Sequence, residues 1–226
     1  MDARDPVRLA TFWARLLGLE VMEDADGAVV RGDDDAQLSL RFVRSSSQRV
    51  GPSLMHEHLT STSLDDQQRV VNTALELGAS HLDVGQRPEE GHIVLADPEG
   101  YELCVIEPGN AFLAGCGFLG ELACDGTRAV GVFWSEALSW PLVWDQDEET
   151  AIQSPRGGTK VAWGGPPLND RVGAVRQRLV VAPVDSDQAT EVGRLVELGA
   201  TRLVPRDGGT VALADPDGTE FWLTAP

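Results

Sequence analysis

The chain repeats itself, and that constrains its fold more than any other feature. Asp97-Pro98-Glu99-Gly100-Tyr101-Glu102 recurs as Asp215-Pro216-Asp217-Gly218-Thr219-Glu220, an offset of 118 residues. Glu76-Leu77-Gly78-Ala79 recurs as Glu197-Leu198-Gly199-Ala200, and Phe12-Trp13 as Phe133-Trp134, both at an offset of 121. The three-residue drift falls between the two motifs, where a surface hairpin can absorb a deletion. A weaker repeat lies inside each half. Leu17-Gly18 and Leu77-Gly78 each end a helical pattern, and Ser139 and Gly199 mark the corresponding points of the second half. The chain therefore reads as four successive units of about 60 residues each.

Each unit has the same order of elements. Pro6 to Leu17 has helical spacing, with Leu9, Phe12, Trp13, Leu16 and Leu17 on one face. Asp5 suits the N-cap, Pro6 the first helical position and Gly18 the C-terminal cap. Strands are expected at Glu20 to Asp24, Ala28 to Arg31 and Gln37 to Val43, with Asp26-Gly27 as a hairpin turn. The second unit reads as strand His56 to Ser63, helix Asp66 to Leu77, then strands at Ser80 to Val84, His92 to Ala96 and Glu102 to Ile106. The third reads as strand Leu119 to Cys124, helix Arg128 to Leu138, and strands at Leu142 to Gln146, Thr150 to Ser154 and Thr159 to Trp163. The fourth reads as strand Arg178 to Val184, helix Asp187 to Leu198, and strands near Thr201, Val211 and Phe221. The strand before the first helix has only Met1-Asp2-Ala3 to form from, which implies either an upstream start or a shortened strand. Its bare edge invites a second copy, giving a homodimer, or a covering loop.

Charge narrows the partners. The formal net charge is −18, with 20 acids and 9 bases through Phe112 and 16 acids and 9 bases beyond it. Neither half carries the clustered Lys and Arg that nucleic acid or an anionic membrane requires. No apolar run reaches the roughly 18 residues of a membrane span, and Met1 to Pro6 has no apolar core of a signal peptide. Three cysteines, Cys104, Cys116 and Cys124, make no disulfide framework. A cytoplasmic location is expected, and the Arg-over-Lys, Gly/Ala/Val-rich composition points to a bacterial source.

The repeating βαβββ unit, the helix with its Phe-Trp pair ending in Leu-Gly, and the DPxGxE hairpin resemble the vicinal oxygen chelate superfamily. That group includes glyoxalase I, bleomycin-resistance proteins and extradiol dioxygenases. The resemblance implies an α+β fold in which four βαβββ units form two glyoxalase-like cupped half-barrel domains. The divisions expected are residues 1–110, a linker at 111–117, and residues 118–226. It also implies a ligand in each cup and, in enzymes, a divalent metal held by strand residues. Carried onto this chain, the metal positions of the first domain fall at His58 and Cys104, with His56 on the same face. In the second domain they fall at Leu119, Arg178 or Leu179, and Trp222, none of them a ligand. No complete metal site is therefore expected, and no cofactor; a metal in the first domain, on His58 and Cys104, is the alternative.

Aromatic residues supply the other candidates. Five of six tryptophans follow residue 118, and Trp144, Trp163 and Trp222 fall on expected strands where they can line a cup. The acidic run Trp144 to Glu149 reads as a solvated hairpin tip, and Ser154 to Thr159 as a turn without the features of a phosphate loop. Three readings compete: a metal-independent protein binding a small aromatic or hydrophobic molecule, a lyase, isomerase or dioxygenase working through a metal on His58, and a domain pair serving protein association. The incomplete ligand set favours the first.

Overall fold

A computed structural model describes residues 1–32, 36–47, 51, 53–87, 89–203 and 209–226. The first unit consists of β1 (Asp2–Ala3), α1 (Pro6–Leu17), β2 (Val21–Asp24), β3 (Gly27–Val30) and β4 (Leu40–Arg44). The second consists of β5 (Met55–Leu59), α2 (Leu64–Glu76), β6 (Ser80–His81), β7 (Ile93–Ala96) and β8 (Glu102–Val105). The third has β9 (Leu119–Cys124), α3 (Arg128–Leu138), β10 (Leu142–Gln146), β11 (Glu149–Ser154) and β12 (Gly157–Trp163). The fourth has β13 (Val180–Val181), α4 (Gln188–Glu197), β14 (Thr201–Arg202), β15 (Val211–Ala214) and β16 (Glu220–Leu223). Four βαβββ units in an α+β fold are thus present, as expected.

Local chemistry explains the helix ends. The Asp5 side chain accepts from the Arg8 N–H at 3.1 Å, and Pro6 opens α1 where its missing donor costs nothing. Gly18 closes α1 in the left-handed region at φ 73°. Its counterpart Ser139 closes α3 in the same region at φ 53°, a conformation that costs a residue with a side chain more.

Within each unit the first strand lies parallel to the last and the remaining pairs are antiparallel. The units are joined unequally. β5 pairs antiparallel with β9, so the second and third units share one eight-stranded sheet in the order β10-β11-β12-β9-β5-β8-β7-β6. The first and fourth units each keep a four-stranded sheet. The short β1 runs parallel to β4, and beyond it the Asp2 N–H donates to the Arg176 carbonyl at 2.8 Å while Arg178 Nη1 meets Asp2 Oδ1 at 2.7 Å. The segment leading to β13 therefore covers this edge. Among the described residues no helix is long and apolar enough to cross a membrane.

The repeated motifs act as pins between units of the same half. Trp13 Nε1 donates to Asp97 Oδ2 at 3.1 Å, and Glu99 Oε1 accepts the N–H groups of Arg4 and Asp5 at 2.9 and 3.0 Å. In the second half, Asp217 accepts from both the N–H and the hydroxyl of Thr127. Two large apolar cores result. One packs Trp13, Phe42, Tyr101 and Leu103; the other packs Phe133, Trp134, Ile152 and Phe221.

Candidate functional site

The shared sheet curls around a cavity of about 500 Å³. Its floor comes from β5 and β9. Strand β5 alternates, burying Met55, Glu57 and Leu59 on the helix side and turning His56 and His58 to the cavity. The parallel register sets His58 directly beside Cys104 of β8. Cys104 is buried on this same side, in a small cluster with Val94, Ile106 and Leu113, and reaches the two imidazoles.

Leu119, expected at a cup-facing metal position, is the residue that strand alternation misplaces relative to Glu121. Counting from Leu119 puts both on one face. The ladder contains a bulge there: Leu59 pairs with Leu119 and His58 with Glu121, with Gly120 as the extra residue. Leu119 thereby packs into the apolar core and Glu121 turns to the cavity, its Oε2 2.6 Å from His58 Nδ1. A glycine inside a strand is the sequence signal that predicts such a bulge. An ionised carboxylate can only accept, so Nδ1 donates to it. His56 Nδ1 lies 3.9 Å from Glu102 Oε1.

Burial sets the protonation of this floor. It holds the His56 imidazole down at about 3, with the nearby His58 and His92 adding to the effect, so His56 is neutral at ordinary pH. Burial likewise pushes the Cys104 thiol up to about 12, with the carboxylates of Glu102 and Glu121 adding. One ring nitrogen of His56, one of His58 and Cys104 Sγ all lie within 4.8 Å of one another.

The wall is aromatic and comes partly from the segment expected to be only a linker. Phe112 meets Trp144 edge to face, with ring centroids 5.7 Å apart. Lys160, the chain's one lysine, holds this segment by donating to the Phe112 carbonyl and lies over its ring at 4.4 Å. Asn110 donates to Glu107 Oε1 at 3.1 Å, and both line the cavity.

The expected site residues therefore divide. His56, His58 and Trp144 line the one cavity with Glu121, and Cys104 sits against its floor. Trp163 touches the cavity at the end of β12 but is 2% exposed and packs with Phe133 and Trp134 in the helix-side core. Trp222 stands apart in the fourth unit. Its ring lies under Arg178 at 4.3 Å and its Nε1 donates to Glu220 at 2.6 Å. The histidines and Trp144, expected in separate cups, share one because the sheet joins across the middle of the chain.

Comparison with known proteins agrees with this architecture. The glyoxalase-like domain family matches residues 1–106 and again 121–224. No curated protein matches the chain. Among solved structures, glyoxalase I from Zea mays is similar over 99% of this chain and 89% of its own, at 15% identity and a TM-score of 0.69. A putative dioxygenase from Bacillus subtilis subsp. subtilis str. 168 is similar over 100% of this chain and 83% of its own, at 13% identity and a TM-score of 0.63. These likenesses concern the fold. With both halves matched and the four units in place, the chain belongs to the glyoxalase-like domain family and carries that domain twice.

Proposed function

We propose that the chain binds a small, ring-bearing molecule in the cavity between its second and third units. One observation carries this reading: the cavity has an aromatic wall, Phe112 and Trp144, facing a polar floor, His58 and Glu121. Its volume of about 500 Å³ suits a small organic ligand. Apolar area on the wall supplies affinity, and the few polar groups of the floor fix orientation. The cavity is open rather than filled by side chains, which removes the support a filled cup would lend to a role in protein association alone. Tryptophan fluorescence tests the reading. Titration with a panel of flat aromatic compounds should give saturable quenching by at least one of them, and Trp144→Ala should abolish it. A flat response across the panel, with calorimetry equally silent, would refute ligand binding here.

A metal-dependent enzyme is the second reading, favoured by the close grouping of His56, His58 and Cys104. Two imidazoles and a thiol form a donor set that suits a zinc-like ion, so the residues fit. His56, His58 and Cys104 would hold the ion, which when bound supplies a Lewis acid that polarises a substrate oxygen. The chain's own residues do the rest. Glu121 fixes the tautomer and direction of His58, Phe112 and Trp144 hold the substrate's ring, and Glu107, steadied by Asn110, presents a carboxylate able to accept a proton.

A further inference from the structure

We propose that Cys104 makes the ion site of this cup a thiolate site, one that selects borderline and soft divalent ions such as Zn²⁺ and Co²⁺ over Mg²⁺ and Mn²⁺. The inference rests on the metal-dependent reading and adds the class of ion. Three observations carry it.

The first is register. His58 and Cys104 are direct partners on adjacent parallel strands, and His56 lies two residues from His58 on the same face. The ladder hydrogen bonds fix this neighbourhood, so the sulfur cannot leave it without breaking the sheet. The second is the placement of the nearest carboxylates. Glu121 is engaged with His58 Nδ1 at 2.6 Å, and Glu102 lies 3.9 Å from His56 Nδ1. Glu121 engages His58 as an outer carboxylate that orients and strengthens a metal-binding histidine, and Glu102 stands near His56. The close donor group is thus two nitrogens and one sulfur, with no carboxylate in it. Hard ions require oxygen donors, whereas imidazole and thiolate favour zinc-like ions. The third is what the other two cysteines do. Cys124 packs in the helix-side core, and Cys116 Sγ lies 3.6 Å from Gln153 Nε2. Among the described residues, only Cys104 has two imidazoles beside it.

Binding balances simply. The thiol and the divalent ion form a sulfur–metal bond, and the thiol proton leaves to solvent, one proton per ion. No oxidant or reductant takes part.

The experiment uses the full chain, purified without an affinity tag and stripped with a chelator. Titration with CoCl₂ should saturate at one equivalent and raise the near-ultraviolet thiolate-to-cobalt charge-transfer band. Zn²⁺ should displace the cobalt, and excess Mg²⁺ or Mn²⁺ should not. Cys104→Ser should abolish the band and weaken Zn²⁺ binding by at least roughly tenfold, and Glu121→Gln should weaken it by about tenfold to a hundredfold with the band retained. The wild-type band decides the question even if the variants fold poorly. Cobalt bound without that band, or displaced by Mg²⁺, would overturn the thiolate assignment while leaving a metal site standing. Failure of the wild-type chain to bind any of the four ions would overturn the metal-dependent reading itself, and this inference with it.

Discussion

The indole N–H of Trp13 donates to Asp97 Oδ2 at 3.1 Å across 84 residues of chain. The bond ties the helix of the first unit to the hairpin of the second. The other oxygen, Oδ1, accepts the Glu99 and Tyr101 N–H groups, each at 2.9 Å, so among the described residues Trp13 alone serves Oδ2. Trp13→Phe keeps most of the apolar volume and leaves a buried oxygen without its donor. Thermal or denaturant unfolding should show a loss of about 1–3 kcal/mol. An unchanged midpoint would mean that water replaces the indole.

Glu57 lies on the helix side of β5, 2% exposed, and among the described residues its Oε2 has no hydrogen-bond partner. Burial pushes its carboxyl up to about 8, and the nearby Asp97 adds to the effect. The folded chain thus keeps this proton where the unfolded chain, with an ordinary value near 4.5, has released it. The resulting contribution to stability is full below the unfolded value and is lost as pH rises towards about 8, at up to roughly 1.4 kcal/mol per pH unit. Glu57→Gln should remove this slope. Denaturant titrations at pH 5 and pH 9 should find the variant gaining on the wild-type chain at the higher pH; parallel curves would contradict the assignment.

Two adjacent glycines separate strain from collision. Gly157 and Gly158 both have positive φ, 88° and 86°. A Cβ at Gly157 meets open space, whereas one at Gly158 falls 2.0 Å from the Ala36 carbonyl oxygen. Gly157→Ala should cost about 1–2 kcal/mol from conformation alone. Gly158→Ala adds the backbone clash and should cost about 2–4 kcal/mol. Unfolding midpoints of the two variants check the order, and equal losses would show that the loop at Ala36 yields freely.

Trp144 and Trp222 both sit on strands, yet only Trp144 lines the shared cavity. Trp144→Ala should weaken binding of an aromatic ligand by about tenfold or more, given roughly 1–2 kcal/mol for a lost aromatic contact. Trp222→Ala should leave that affinity within about twofold. Parallel calorimetric titrations measure both. A ligand lost with Trp222 instead would place binding in the fourth unit.

Much of the molecule was legible in its residues. The repeat, the caps and the apolar spacing predicted four units and the order of their elements; the bounds of α1 match outright. Alternation along β5 likewise paired His56 with His58 on one face. These properties are local, because a strand's period and a helix's cap are set by neighbours a few residues away. The tertiary structure decided which units share a sheet. Four similar units present four similar strand edges, and nothing in the periodicity of β5 or β9 says that these two should pair. That pairing brings Glu121 to His58 across 63 residues, brings Trp144 to the same cavity and leaves Trp222 outside it. The bulge at Gly120 completes the difference, since a shift of one residue exchanges the two faces of a strand and turns Leu119 from the cup to the apolar core while Glu121 stays on the cavity floor.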